Sequence, residues 1–312
     1  MGESRNKKNY FFLIFIILLI PLFAENTYAE VLERNRPFAV MIGNSPKEIK
    51  VQKGIEEADI IYEIDVEYPF TRLMALYFGD DNITIGPVRS SRYYFSRISI
   101  EWSAFFAHCG GQNLKNKNIL DLDELIYHNL FWRDENIGGW INLFTDINRL
   151  KRGIKTEYFT DKSNFINHNL LNLNSSSPHH KNEITKITIK YSADYIVSYH
   201  YDPYENVYHR HINGIPQLAL ESQKPITASN IIIQYVPIGK IEGDESGRVQ
   251  VNMIGEGIGK FFQSGDYKPI KWVKDNKEVQ TIFYDSNYLP IVLEKGLVWV
   301  HILSVDNEVW FK

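Results

Sequence analysis

The sequence predicts an α+β or α/β N-terminal domain followed by a second, mainly antiparallel β domain, a barrel or a sandwich. Three observations carry this. Between residues 38 and 131, short apolar strand-like runs interleave with stretches of helical spacing. A polar tract rich in Asn and Ser, "INHNLLNLNSSSPHHKNE", then interrupts the pattern. Beyond it, strand-like runs recur at short intervals with turn residues between them. The organisation is therefore a signal peptide over 1–29, a mixed domain over 30–165, a polar linker over 166–182 and a β-rich domain over 183–312. With 312 residues, 44% of them hydrophobic, the chain can bury two cores. Its formal net charge of -4 excludes a nucleic-acid binder acting through bulk positive charge.

The N-terminus begins with the bases Arg5, Lys7 and Lys8, continues through an apolar run from Tyr10 to Phe23, and reaches "TYA" before Glu30. That run is roughly 14 residues, against the roughly 20 needed to span a bilayer, so it reads as a secretory signal with a small-residue cleavage site. An uncleaved membrane anchor is the alternative. Cys109, the only cysteine, precludes an intramolecular disulfide and leaves none beside the signal for lipid attachment. It reads as a small core residue rather than a catalytic thiol.

In the first domain, "RPFAVMIGN" contains a buried strand over Phe38–Ile42. In "ADIIYEIDVEY", period two places Ile61, Glu63, Asp65 and Glu67 on one face and Tyr62, Ile64, Val66 and Tyr68 on the other. "TRLMALYFG" is a further strand, and "ITIGPV" leads to a helix capped by Ser90 or Ser91 and running to about Phe105. "FFAHCGGQN" reads as a strand ending in a Gly-Gly turn, and "ILDLDELIYHNLF" has helical spacing.

In the second domain, "ITKITIKYS", "YIVSYHYD", "VYHRHING", "NIIIQYVPI", "GRVQVNMIG", "KPIKWVK", "QTIFYD" and "LVWVHIL" are strands, with a hairpin turn at Asn213-Gly214. "GEGIGK" lacks the strand and helix context of a phosphate loop and reads as a glycine-rich turn or bulge.

The ordered set "RPFAVMIGN", "EADIIYE", "TRLMALYF", "IGPVRSSR", "AHCGG", "FWRD" and "NLFT", continued by "YHRHING", "GRVQVNMIGEG" and "LVWVHIL", resembles the YerB-type lipoprotein family. The family consists of bacterial envelope proteins with a domain of unknown function. The resemblance spans nearly the whole mature chain and implies two domains and an extracytoplasmic location, secreted or membrane-tethered. It implies no activity. The chain departs from the family at its missing lipid-bearing cysteine and at Ile141, where the family has His before the Asn-Leu pair.

The segment "GPVRSSRYYFSR" places Arg89 and Arg92 where a helix begins, although acids are the usual residues there. Such an inversion implies a compensating anion. With Ser90 and Arg72, these arginines outline a cradle for phosphate, pyrophosphate or carboxylate, with Glu63 and Glu67 as orienting partners. The alternative is a purely internal network with Glu63, Asp65 or Glu67. Those three acids could also hold a divalent cation, though no cofactor is favoured.

His108 and Arg133 complete the candidate ligand-binding set, His108 as an acid or base beside glycines and Arg133 beside the sugar-stacking candidate Trp132. His209 and His211 alternate on one strand face, a spacing compatible with zinc but without an identifiable third ligand, and His179 and His180 read as solvated. Three functions stay open: noncatalytic binding of an anionic envelope ligand or glycan, metal-assisted phosphoryl transfer or hydrolysis on a cell-wall precursor, and a scaffold for another envelope protein.

Overall fold

A computed structural model describes residues 36–79, 81–111, 122–126, 128–156, 184–277 and 279–312. The signal over 1–29, the linker over 166–182 and His179 and His180 lie outside them.

Strand β1 (Phe38–Gly43) is buried along its whole length. A strand covered on both faces has no solvent side, which is why "FAVMIG" is continuously apolar. β2 (Ile60–Glu67) and β3 (Phe70–Tyr77) form an antiparallel hairpin, with a register shift between Asp65 and Glu67. The predicted alternation holds through Val66: Ile60, Tyr62, Ile64 and Val66 enter one core, while Ile61 enters the other and Glu63 is fully buried.

After β4 (Thr84–Ile85), helix α1 spans Tyr93–Glu101, shorter than the expected run to Phe105. Its cap position is taken by Arg92, in extended backbone and without a side-chain cap, rather than by Ser90 or Ser91. The reason lies in the preceding backbone. Arg89 N–H donates to Met41 O at 3.0 Å, Cys109 N–H to Arg89 O at 3.1 Å and Ser91 N–H to Gly110 O at 3.0 Å. These bonds hold 89–91 extended between β1 and the Gly110 turn, so winding cannot start earlier. Tyr94, Phe95, Ile98 and Trp102 share the apolar side of α1, and Trp102 Nε1 donates to Tyr62 Oη at 2.9 Å.

β5 (Phe105–Ala107) follows. The described part of "ILDLDELIYHNLF" is not the expected helix: it forms β6 (Asp123–Leu125) and a 3₁₀ turn over His128–Leu130. β6 pairs in parallel with β5, and tertiary pairing overrides the helical spacing. After β7 (Trp132–Arg133) and β8 (Leu143–Asp146), helix α2 (Ile147–Thr156) is an element the sequence reading missed. Its signal was Ile147, Leu150 and Ile154 on one face behind Asp146, whose carboxylate accepts Arg149 N–H at 2.7 Å.

The second half continues with β9 (Lys186–Lys190), β10 (Ile196–Asp202), β11 (Val207–Ile212), β12 (Ile215–Pro216) and β13 (Thr227–Ala228). Asn213 and Gly214 form the predicted turn, with φ of +50° and +80°. Then come β14 (Asn230–Tyr235), β15 (Ile238–Lys240), β16 (Val249–Val251), β17 (Gly255–Gln263), β18 (Asp266–Lys274), β19 (Ile282–Tyr284), β20 (Val298–Leu303) and β21 (Glu308–Phe311). "GEGIGK" is the start of β17, not a turn. A Cβ on Gly257 would lie 2.6 Å from Trp272 Nε1, so packing against that indole requires glycine.

The N-terminal part is mixed and the C-terminal part mainly antiparallel, yet one sheet crosses both, in the order β19-β18-β17-β14-β20-β2-β3-β1-β5-β6. β20 lies parallel to β14 on one side and β2 on the other, which joins the halves through hydrogen bonds. Strands β12-β11-β10-β9-β21, with β13 beside β11, form a second sheet. Ile187, Ile189, Val197, Tyr199 and Tyr208 from that sheet share a core with Ile61, Ile231, Ile233 and Trp299 of the large one, so the two sheets pack as a sandwich that draws strands from both halves. On the opposite face of the large sheet, α1 packs on Tyr62, Ile64 and Met74.

Candidate functional site

The buried acid Glu63 does not orient the arginine cluster, as expected from the strand face. Its carboxylate is enclosed between the sheets with Arg210, at 2.8 Å, and both side chains are 0% exposed. Tyr195 Oη donates to Glu63 Oε1 at 2.6 Å, Thr71 Oγ1 to the same oxygen at 3.0 Å, and Trp299 Nε1 to Oε2 at 3.1 Å. Arg210 also donates to Gln217 Oε1 at 2.5 Å, with its guanidinium 4.3 Å from the Trp299 ring centroid. Burial alone would push the Glu63 carboxyl up, but Arg210 and the Tyr195 hydroxyl hold it below the usual range. His301 joins through Tyr191 at 2.7 Å and Tyr199 at 2.9 Å, and burial lowers its pKa to about 3, so it is neutral at pH 7. This network is sealed from solvent and locks one sheet onto the other.

The remaining arginines gather at the solvent end of β2. Glu67 Oε1 accepts from Arg92 Nε at 2.9 Å and from Arg92 Nη2, while Glu67 Oε2 lies 3.6 Å from Arg72 Nη2. Arg72 also donates to Ser90 O at 2.7 Å, so Ser90 contributes its carbonyl to this cluster. Burial lowers the Arg72 pKa to about 10, with the Arg92 charge adding to the effect. Arg89 pairs with Glu48 and lies 4.5 Å over the Trp140 ring.

Two expected members stand apart. His108 is 4% exposed, and its Nδ1 and Nε2 face Gly110 O and Glu124 Oε1, both at 3.0 Å. The glycines beside it admit backbone rather than ligand: at Gly111, with φ +125°, a Cβ would meet Ser91 O at 2.7 Å. His108 thus holds the turn that positions 89–91. Arg133 is exposed on β7 and donates to Asn142 Oδ1 at 2.8 Å. The Glu63, Asp65 and Glu67 set does not converge as metal ligands; among the described residues, the group that does is Asp202, Glu205 and His209.

A cleft of about 670 Å³ opens beside the N-terminus of α1. Its walls are α1 and the segment 241–254, which includes β16, the second strand of the β15–β16 hairpin. Val249 and Val251 of that hairpin pack on the α1-side core, and Arg248 forms a backbone bridge to Glu67. Arg92, Arg97, Arg248, Lys274 and Lys277 line the cleft with Tyr93, Tyr94 and Met253, and no acid is among its described lining residues. Three of these cations are neutralised nearby: Arg92 by Glu67, Arg248 by Asp244 at 2.5 Å, and the buried Lys274 by Glu101.

Arg97 is different. It is 9% exposed, and among the described residues no carboxylate pairs with it. Its Nε and Nη2 donate to Tyr93 Oη at 3.0 and 2.5 Å, with the guanidinium 4.8 Å from the Tyr93 ring centroid. A cation in a half-enclosed space, with a hydroxyl as partner, is poised for an anion. Of the predicted arginines, Arg92 alone lines this cleft. Sequence reasoning missed Arg97, although "RYYFSR" places it five residues after Arg92. Arg248, Lys274 and Lys277 carried no local signal, because long-range strand pairing brings them here.

Two matched models establish the class: the N-terminal domain of a family described as protein of unknown function DUF3048 over residues 24–160, and its C-terminal domain over 187–300. The chain belongs to this YerB-type family. It is similar to YerB of Bacillus subtilis (strain 168), a protein provisionally named a lipoprotein, at 29% identity over 299 residues, covering 92% of this chain and 86% of that one. The crystal structure of Bacillus subtilis YerB superposes with a TM-score of 0.74 at 25% identity, covering 89% of this chain and 95% of that chain.

Proposed function

We propose that this is an extracytoplasmic envelope protein that binds an anionic ligand, phosphate or pyrophosphate in its charged part, in the cleft beside α1. The basic and apolar N-terminus and the lipoprotein name of the Bacillus relative support the location. Arg97 is the observation that carries the ligand: a guanidinium without a carboxylate partner among the described residues, in a cleft whose described lining has five cations and no acid. Met253, Val249 and Val251 give the same cleft an apolar side, which suits an anion attached to a lipid or a glycan.

The test is calorimetric titration of inorganic pyrophosphate, a short polyprenyl pyrophosphate and muropeptides into the purified full chain and into Arg97→Met. A charge-assisted hydrogen bond contributes about 1.5–3 kcal/mol, so the variant is expected to bind roughly 10- to 100-fold more weakly. Its unfolding temperature should stay within about 2 °C of the parent, since no ion pair is broken. Equal affinity in parent and variant, or saturation by none of the three ligands, overturns the reading.

A further inference from the structure

Far from the cleft in sequence, the turn between β10 and β11 assembles a mixed nitrogen and oxygen donor set. Asp202 ends β10, Glu205 sits in the turn and His209 lies on β11, with one donor atom of each within 4.8 Å of the others. His209 Nε2 is 3.7 Å from Asp202 Oδ2 and 3.5 Å from Glu205 Oε2. These separations exceed ordinary hydrogen-bond lengths. They match the edge of about 3.4 Å expected between tetrahedral ligands that each lie about 2.1 Å from a metal ion.

The donors are also oriented from behind. Tyr204 and Glu205 N–H groups donate to Asp202 Oδ1 at 2.8 and 3.2 Å, which leaves Oδ2 directed at His209. His209 is fixed by backbone pairing to His200 on one side and Thr227 on the other. All three side chains reach solvent, so water can complete the coordination. His211, the expected partner of His209, is excluded: it stacks on His200 with centroids 4.0 Å apart, and its Nδ1 faces the His209 carbonyl at 3.1 Å.

We propose that Asp202, Glu205 and His209 bind one divalent transition-metal ion of the Zn²⁺ class. An imidazole with two carboxylates suits zinc and selects against Mg²⁺ and Ca²⁺, which prefer all-oxygen sites. The experiment is titration of Zn²⁺ into the metal-stripped full chain, with Mg²⁺ and Ca²⁺ as competitors and with Glu205→Gln, His209→Gln and His211→Gln as variants. One Zn²⁺ per chain is expected, weakened at least about tenfold in the Glu205 and His209 variants and unchanged in His211→Gln. The changes are on the surface, so the metal-free variants should unfold at the parent temperature, which separates lost ligation from lost folding. Absence of stoichiometric binding, unchanged affinity in Glu205→Gln or His209→Gln, or loss in His211→Gln each overturns the site, the last by moving the ion to the imidazole stack.

Discussion

Glu63→Gln and Arg210→Met are each expected to lower stability by about 3–5 kcal/mol, because either change strands a charge or its donors between two sheets. In urea this reads as an earlier midpoint. In a melt it is a drop on the order of 10 °C. The pair is 0% exposed on both sides, so water cannot take the place of the missing partner. The double variant Glu63→Gln with Arg210→Met removes both charges, and it is expected to recover part of the loss. The acid limb follows the same logic. The Glu63 carboxyl is depressed in the fold, so its contribution is present above the ordinary carboxylate range and is lost as pH falls through the depressed value. Single variants within about 1 kcal/mol of the parent would show that the network does not hold the sheets together.

That pairing also shows what the sequence could and could not disclose. Period two in "ADIIYEIDVEY" correctly put Glu63 on a face opposite Tyr62, and burial of that face required a cation. The arginines that the sequence offered as partners were Arg72, Arg89 and Arg92; the one that arrives is Arg210, 147 residues away. Its arrival depends on β20 inserting in parallel beside β2 and on the second sheet folding over that junction, neither of which leaves a local trace. Glu67 was legible because it ends β2 beside the start of α1, where it accepts from Arg92. The inverted charge at the helix start is thus compensated from within at Arg92, whereas Arg97, five residues on, has no carboxylate partner among the described residues.

A last expectation concerns Asp65, two residues beyond Glu63 on β2, and runs opposite in sign to the first. Burial and the neighbouring Glu63 charge push its pKa up to about 7 from an ordinary 3.8. Between those values the folded chain holds one proton more than the unfolded chain, so stability falls as pH rises and levels off above about 7. Asp65→Asn cannot ionise. At pH 8 it should exceed the parent by on the order of 2–4 kcal/mol, while at pH 4 the two should agree within about 1 kcal/mol. Melting curves from pH 4 to 9 check this, and an equal offset at both ends would refute it. The site gives the titration a second readout. Tyr94, whose hydroxyl donates to Asp65 O at 2.6 Å, lines the cleft and feels the charges of Arg92, Arg72, Glu67 and Asp65 together. Arg72 and Arg92 share Glu67, so an ionised Asp65 lowers the positive field at this end of the cleft. Pyrophosphate itself gains negative charge between pH 6 and pH 8, so its affinity should rise less over that range in the parent than in Asp65→Asn, and equal rises in the two would refute the coupling.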